Sequence, residues 1–470
     1  MNIMNLIKSQ FSAKILLGNK KALGELPNDK EIAKKYFNIA WPSAFESIMV
    51  SLIAAVDMMM VGSLGKEAVS SIGITSQPKF LLLATILSMN IGVTVLVARR
   101  KGENDSLKAN NILRQAIIIS VILSFILMSL GSIFARELLS FAGAGVDFID
   151  LAVEYFQIVL VGTFFYAISL TITSAQRGVG NTKISMITNL SANLINFILN
   201  FILIYGHFGF PALGVKGAAI ATAIGNFFAF VIALYSVSKK SEFLKLEFKK
   251  SKFFDKNIIL EIYRIAKPTF YEQIVLRIGF FTYAKSVAGL GTIAFSAHQV
   301  TMNVMQISFA FGDGLQVATT SLVGQNLGAN RSDLSVIYSK FAQKTGYIVG
   351  IMLSVFIYIF RKEILYLFIQ DAEVIQAALL PITILTVTLI FQIVQVITIG
   401  SLRGGGDVKF VALVMLISVG IFRPLLSYIL AYKFNIGLNG AWIAVFIDQI
   451  IRHILSRDRF LKGQWYSKKI

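Results

Sequence analysis

The chain has 470 residues, of which 56% are hydrophobic and 15% are charged, and its mean hydropathy is +0.71. So small a polar fraction cannot cover the surface of a soluble globule of this length, which excludes a soluble enzyme or a soluble binding module. The formal net charge of +19 is by itself compatible with nucleic-acid binding. Zero cysteine excludes disulfides and thiolate metal sites, and the three histidines lie far apart in the sequence, which argues against a metal-dependent membrane hydrolase.

Apolar runs of about 20 residues recur along the whole chain, each followed by a short polar or Gly/Pro break. Runs of this length cross a bilayer as helices, so we predict an all-α polytopic membrane protein with twelve transmembrane helices. The predicted spans are 38–62, 77–98, 112–134, 151–175, 184–206, 217–238, 266–290, 296–323, 342–360, 376–401, 410–432 and 438–455.

Lys and Arg alternate between the loops that separate these spans. Seven Lys precede residue 36, five Lys or Arg lie between residues 99 and 114, and nine lie between residues 239 and 267. The intervening loops carry acids such as Asp147 and Asp371. This positive-inside pattern predicts a bacterial inner-membrane protein whose termini and basic linker are cytoplasmic. We interpret the linker as lying on anionic lipid rather than binding RNA, so we expect no nucleic-acid partner.

The second half of the chain repeats the first. The matches at a shift of 226 residues include Pro42 with Pro268, Glu46 with Glu272 and Arg177 with Arg403, and after the shift falls to 223 they include Gly214 with Gly437. Each copy has an even number of helices, so we predict two parallel six-helix bundles related by a pseudo-twofold axis along the membrane normal. The predicted domains are an N-terminal cytoplasmic segment 1–36, bundles 37–238 and 265–457, the linker 239–264 and a cytoplasmic tail 458–470.

Each copy contains one basic glycine-rich loop, SAQRGVGNTK at 174–183 and GSLRGGGDVK at 400–409. Neither has the spacing or the preceding strand of a phosphate-binding loop, and one loop per repeat favours a structural role. We expect the first glycine to end a helix in the left-handed conformation, Asn181 or Asp407 to cap the next helix, and the basic residues to anchor the turn at the headgroups. The predicted turn residues are Arg177, Gly178, Gly180, Arg403, Gly404 and Gly406.

Asp57 and a stripe of asparagines are the candidate ion-coupling residues. Asp57 lies in the outer half of the first span among apolar neighbours, where a carboxyl group is able to take or release a proton or to trade it for a cation. Asparagines spaced 4, 3 and 4 residues apart share one face of the fifth span and need protein or water partners. Two alternatives stay open: an aspartate solvated at the interface, and a stripe that only bonds helices together. The stripe consists of Asn189 and of the three residues assigned to ion coupling with Asp57, which are Asn193, Asn196 and Asn200.

A further set of residues is predicted to line a substrate cavity. Glu46 and Glu272 each follow a proline by four residues and either hold a cationic substrate or bond to backbone freed by that proline. Arg277 and Asp313 lie at similar depth, so we expect them to pair. Methionine offers a soft contact to flat cations, with packing as the alternative. The candidates are Glu46, Glu272, Met58, Gln392, Arg277 and Asp313, with Arg423 and Asp448 as further candidates in the second half.

Six motifs follow one another along the chain: VDMMMVGSLG at 56–65, QRGVGNTK at 176–183, GVKGAAIAT at 214–222, AHQV at 297–300, LVGQNLGA at 322–329 and SLRGGGD at 401–407. Together with the two six-helix halves, these motifs resemble those of the multidrug and toxic compound extrusion (MATE) family of secondary transporters. The resemblance implies an exporter of diverse, often cationic compounds, driven by inward proton or sodium movement. It implies that Asp57 is the ion-coupling acid. Asn200 stands where a proton-coupled branch of the family tends to have Asp, and Gln392 stands where some sodium-coupled members have Asp.

We therefore expect a monomeric secondary antiporter, not an enzyme, that exports organic cations by alternating access. Its partners would be small organic substrates and membrane lipids, and it would need no cofactor beyond a coupling H+ or Na+, with Asp57 as the residue that would bind Na+. A lipid-linked saccharide flippase of the same superfamily is the alternative. Membrane acids that match or outnumber the bases in each half argue against the cationic cavity that a flippase needs.

Overall fold

The computed structural model describes residues 10–238, 243–246 and 254–468. Within these ranges the chain is built of helices and contains no strand, which confirms the predicted all-α class. Part of the predicted linker 239–264, and the first nine residues of the predicted N-terminal segment, lie outside the described residues.

Twelve long helices, α1 to α12, account for most of the described chain. Three short helices, Ala13–Leu17, Ala135–Phe141 and Arg361–Phe368, lie before α1, after α3 and after α9. The long helices are α1 Asp29–Gly62, α2 Lys66–Gly102, α3 Ser106–Ile133, α4 Ile149–Gly178, α5 Thr182–Tyr205, α6 Gly214–Ser238, α7 Lys256–Ala288, α8 Thr292–Gly328, α9 Ser332–Ile359, α10 Ala372–Gly404, α11 Val408–Lys433 and α12 Leu438–Leu461.

Nine of the long helices in the described chain are long and apolar enough to cross a membrane. The other three, α7, α8 and α12, are 33, 37 and 24 residues long, which also suffices to span about 30 Å of hydrocarbon. Each of them carries at least one charged residue away from its ends, Arg277 on α7, Asp313 on α8 and Asp448 on α12. Such residues are tolerated at membrane depth only where protein or water surrounds them.

The chain divides into two compact units. The N-terminal unit is Phe45–Phe270, and the C-terminal unit is Tyr271–Ile470 together with Met1–Ala44. Both divisions fall two residues after a proline inside a helix, Pro42 in α1 and Pro268 in α7. Proline removes a backbone hydrogen bond from a helix, so each helix is weakened where it passes from one unit to the other.

The amino-terminal segment groups with the C-terminal unit rather than with the bundle that follows it in sequence. Leu16 is fully buried, and the Leu23 backbone N donates to Asp333 Oδ2 at 3.0 Å. Arg331 Nη2 donates to the carbonyl of Glu25 at 2.8 Å. Residues before α1 are therefore a packed part of this unit.

The sequence repeat is also a repeat of backbone conformation. A left-handed residue recurs at the same register in both copies, as the following pairs show: Gly65 and Gly291, Asn104 and Asn330, Gly180 and Gly406, and Gly214 and Gly437. A side-chain bond recurs as well, because Thr94 Oγ1 donates to the Ser174 carbonyl at 2.9 Å and Thr320 Oγ1 to the Gly400 carbonyl at 3.0 Å. The two six-helix copies thus share a common architecture.

In both glycine-rich loops the left-handed residue is the last glycine, Gly180 or Gly406, and not the glycine that follows the arginine. Gly180 has φ +87° and Gly406 has φ +84°. Gly178 and Gly404 are helical instead, and a Cβ there would lie 2.8 Å from the Thr94 carbonyl oxygen and 2.6 Å from that of Thr320. Gly178 and Gly404 are therefore required for close helix approach, whereas Gly180 and Gly406 supply the turn.

The predicted helix caps differ as well. Neither Asn181 nor Asp407 makes a side-chain capping bond to the helix that follows it. The carboxylate of Asp407 instead accepts a hydrogen bond from Arg459 Nε at 2.7 Å and pairs with Lys468. The positively charged side chains of Arg459 and Lys468 bind this carboxylate in place of the backbone N–H groups that a helix cap would use.

Candidate functional site

Asp57 lies in the N-terminal unit within hydrogen-bond reach of the asparagines of α5. Its Oδ1 accepts from Asn200 Nδ2 at 3.0 Å. The amide of Asn196 is best satisfied with its nitrogen toward the carboxylate, where it donates to Asp57 Oδ2 at 2.8 Å. In that orientation its oxygen accepts from the backbone N of Thr222 on α6 at 3.0 Å. Three helices therefore contribute to one polar cluster, the Asp57 cluster, which consists of Asp57, Asn196, Asn200 and Thr222.

The sequence brings α5 and α6 close enough for this contact through a glycine. A Cβ at Gly225 would lie 2.7 Å from the carbonyl oxygen of Ala192, so only glycine fits at that position of α6. One turn along α5, Asn196 then faces Thr222, a residue that sequence reasoning did not assign to the site. Thr222 ends the motif at 214–222, but its side-chain partner lies 26 residues away in sequence and no local pattern indicates it.

The Asp57 cluster is rich in oxygen. Asn196 and Asn200 are only 6% and 3% exposed, and the Oδ1 atom of Asn200 has no hydrogen-bond partner among the described residues. A carboxylate, amide oxygens and a hydroxyl are the ligands that hard monovalent and divalent cations prefer, and the carboxylate by itself accepts a proton. Within the described chain no group of three or more His, Cys, Asp or Glu could hold a metal ion. The arrangement suits a proton or a weakly held cation.

The asparagine stripe of α5 divides between two clusters. Asn189 Nδ2 donates to Glu46 Oε1 at 2.5 Å, seven residues before Asn196 begins the Asp57 cluster. Asn193 lies between them on the same face and takes part in neither set of hydrogen bonds among the described residues. Its assignment to ion coupling stays a prediction.

Glu46 and Glu272 each form a buried ion pair with the arginine of the glycine-rich loop in the same unit. Arg177 Nη2 donates to Glu46 Oε1 at 2.6 Å, and Arg403 Nη2 donates to Glu272 Oε1 at 2.5 Å. The two glutamates are 5% and 1% exposed. Each buried carboxylate thus has a guanidinium partner within its own unit, and the predicted contact of these arginines with headgroups stays a prediction.

The remaining cavity candidates are dispersed. Met58 is 45% exposed, whereas Gln392 is fully buried and donates through Nε2 to Ser308 Oγ at 3.3 Å. Arg277 and Asp313 are both exposed, on α7 and α8 of the C-terminal unit. Their pairing stays a prediction.

A second charged cluster lies in the C-terminal unit. Asp448 Oδ2 accepts from Arg423 Nε at 3.0 Å and Nη2 at 2.5 Å, and from Arg452 Nη2 at 2.6 Å. The sequence predicted Arg423 and Asp448 as candidates in the second half, but Arg452 was not assigned to the site. The i, i+4 spacing of Asp448 and Arg452 is the signal that could have indicated this contact.

The comparisons with known proteins agree with this architecture. The MatE family model matches residues 42–202 and again residues 268–429, which is more than half of the chain. The chain is 27% identical over 454 residues to "Probable multidrug resistance protein NorM" of Thermotoga maritima, covering 95% of this chain and 96% of that protein. It is 26% identical to "Uncharacterized transporter YisQ" of Bacillus subtilis over 94% of this chain and 96% of that one.

Among solved structures, an outward-facing multidrug resistance MATE family transporter of the MOP superfamily has the same fold. The TM-score is 0.86 at 21% identity, and the match covers 92% of this chain and 96% of that one. The twelve-helix, two-bundle prediction is thereby confirmed. The chain belongs to the MATE family of membrane transporters.

Proposed function

We propose that this protein is a cation-coupled antiporter that exports organic compounds, many of them cationic, and that the Asp57 cluster binds the coupling ion. The observation that carries the proposal is the geometry of Asp57. Its carboxylate lies within a predicted membrane span, where two buried amides donate to it. The multidrug-resistance name of the Thermotoga maritima relative supports the substrate class.

The amides explain how one site could alternate between an empty and an occupied state. A bare carboxylate in a span is costly, and Asn200 and Asn196 stabilise its charge when no ion is bound. A proton or Na+ replaces that stabilisation and removes the net charge. Ion binding then shifts the equilibrium between outward and inward states by the difference in the affinity of the two states for the ion.

The first prediction concerns this carboxylate. Asp57→Asn removes the charge and keeps the shape, so we expect ion-driven efflux of ethidium from proteoliposomes to fall to background under a proton gradient and under a sodium gradient. The exposed loop residue Asp147 offers a matched control, and Asp147→Asn is expected to leave efflux unchanged. Full efflux by a folded Asp57→Asn protein would refute the coupling assignment.

The same assay identifies the ion, because proton and sodium gradients are imposed separately. If the wild-type protein were silent under both, the antiporter proposal would fail and a lipid-linked saccharide flippase would be favoured. We also propose that the protein is a monomer in the bacterial inner membrane with cytoplasmic termini. The orientation of the termini rests on the distribution of Lys and Arg among the loops.

A further inference from the structure

The C-terminal unit holds a buried polar site at the repeat position of the Asp57 cluster. At the shift of 226 residues Asp57 corresponds to Tyr283, which is 1% exposed. The guanidinium carbon of Arg423 lies 5.8 Å from the centre of the Tyr283 ring. Where the first copy places an acid, the second places a phenol beside an arginine.

The charges in this site do not balance. Arg423, Asp448 and Arg452 are 0%, 0% and 3% exposed, and the two arginines share a single oxygen of one carboxylate. The charged groups of the described chain that act on Asp448 are these two arginines. Guanidinium groups do not lose their protons in proteins, so the cluster carries one positive charge in excess.

Several hydrogen-bond donors in the site also lack an acceptor. Arg423 Nη1, Arg452 Nε and Trp442 Nε1 have no hydrogen-bond partner among the described residues. The ring of His298 lies 5.2 Å from that of Tyr283 and 5.7 Å from that of Trp442, and its Nδ1 is likewise unpartnered in the described chain. One Asp448 oxygen is unpartnered as well, but the charged donors outnumber it. A buried site with surplus charged donors is complementary to an anion.

Helix α11 is irregular at this site. It is π-helical over Leu416–Phe422 and again over Ile429–Lys433, and the α-helical turn between them begins with Arg423. A π segment widens the helix and turns the residues that follow it, and such segments are frequent at functional sites. This irregularity directs Arg423 into the unit, where it also lies 4.9 Å from the centre of the Phe280 ring.

We infer that Arg423, together with Trp442 and His298, binds a small monovalent anionic group, either a halide or the carboxylate of an organic compound. One such group cancels the single excess charge of the cluster and accepts a hydrogen bond from the free Nη1 of Arg423. A buried charge without a partner costs several kcal/mol, so an occupied site removes the main energetic penalty of the cluster. The inference does not depend on which ion drives transport.

Tryptophan fluorescence tests the inference directly. The chain has three Trp, and Trp41→Phe/Trp465→Phe leaves Trp442 as the single reporter. We expect iodide, titrated into the full-length protein in detergent at constant ionic strength with sulfate, to quench this fluorescence with a saturable curve. Displacement by chloride identifies a halide site, whereas displacement by formate and acetate but not by chloride identifies a carboxylate site. Quenching that is absent, or that rises linearly without saturation, would overturn the inference.

Two variants locate the binding. Arg423→Gln in the single-tryptophan background removes a charged donor, so the affinity for iodide is expected to fall about tenfold or more. Lys285→Gln removes an exposed charge from α7 and is expected to leave the curve unchanged. If Arg423→Gln does not fold, anomalous diffraction from crystals of the wild-type protein soaked in bromide decides the question. A bromide peak beside Arg423 supports the site, and its absence at saturating bromide contradicts it.

Discussion

At the scale of single residues, pairing decides which buried charges are stable. Glu272 is 1% exposed, and Arg403 is the cation that donates to it, so neither charge is left alone in the C-terminal unit. Glu46 differs in detail because Ser185 and Asn189 donate to the same oxygen as Arg177. A proline four residues before each glutamate thus accompanies a buried ion pair in both copies.

These pairs predict an asymmetric response to mutation. Arg403→Gln leaves the Glu272 carboxylate buried without a cation, so we expect it to lower the free energy of unfolding by about 3–5 kcal/mol. The double variant Glu272→Gln/Arg403→Gln removes both charges and is expected to be more stable than Arg403→Gln. Thermal unfolding in detergent measures both effects. A double variant as unstable as the single one would contradict the charge argument.

An exposed ion pair is the control for this comparison. Arg136 and Asp150 pair in the N-terminal unit, and their side chains are 58% and 79% exposed. Water solvates either partner when the other is removed, so Arg136→Gln is expected to change stability by less than about 1 kcal/mol.

At the scale of helices and turns, the glycine-rich loops owe their sequence to packing. Gly178 ends α4 against α2, where the Thr94 carbonyl oxygen leaves no room for a methyl group. The following turn needs Gly180 for its left-handed backbone. One loop therefore has two glycines for two different physical reasons.

The packing explanation predicts opposite effects at two helical glycines. Gly178→Ala forces a methyl group to within 2.8 Å of the Thr94 carbonyl oxygen, and we expect a loss of about 1–3 kcal/mol in stability. Gly73 lies in α2 with open space around its Cβ position, so Gly73→Ala is expected to stabilise the helix by about 0.5–1 kcal/mol. Melting temperatures of the two variants in the same detergent compare them, and equal shifts would contradict the packing explanation.

At the scale of the whole molecule, duplication has kept the architecture and changed the chemistry. The left-handed turns, the loop ion pairs and the threonine bonds recur in both copies. The buried polar sites differ between the copies. The Asp57 cluster combines one acid with neutral amides, whereas the corresponding region of the C-terminal unit combines one acid with two arginines. The same helical frame thus provides two electrostatic environments.

The predicted orientation is testable because the chain contains no cysteine. Val146, which is 95% exposed, lies in a loop predicted to face outward, whereas Lys108 and Ser467 lie on the side predicted to face the cytoplasm. We expect Val146→Cys to react with a membrane-impermeant maleimide in intact cells, and Lys108→Cys and Ser467→Cys to react only after permeabilisation. Labelling of Ser467→Cys in intact cells would show that the C-terminal tail faces outward and would contradict the predicted topology.

The amino-acid sequence by itself determined the helices, the repeat and the residues nearest to Asp57. Apolar runs of span length and a self-match at a constant shift are properties of the linear chain, and helical spacing places Asn196 and Asn200 on one face without knowledge of the fold. Only the tertiary structure decided which helix faces that stripe meets. It adds Thr222 to the Asp57 cluster through Asn196, assigns Asn189 to Glu46, and joins Arg423 to Asp448. These contacts link different helices, and a helical pattern indicates which face is polar but not which neighbouring helix it meets.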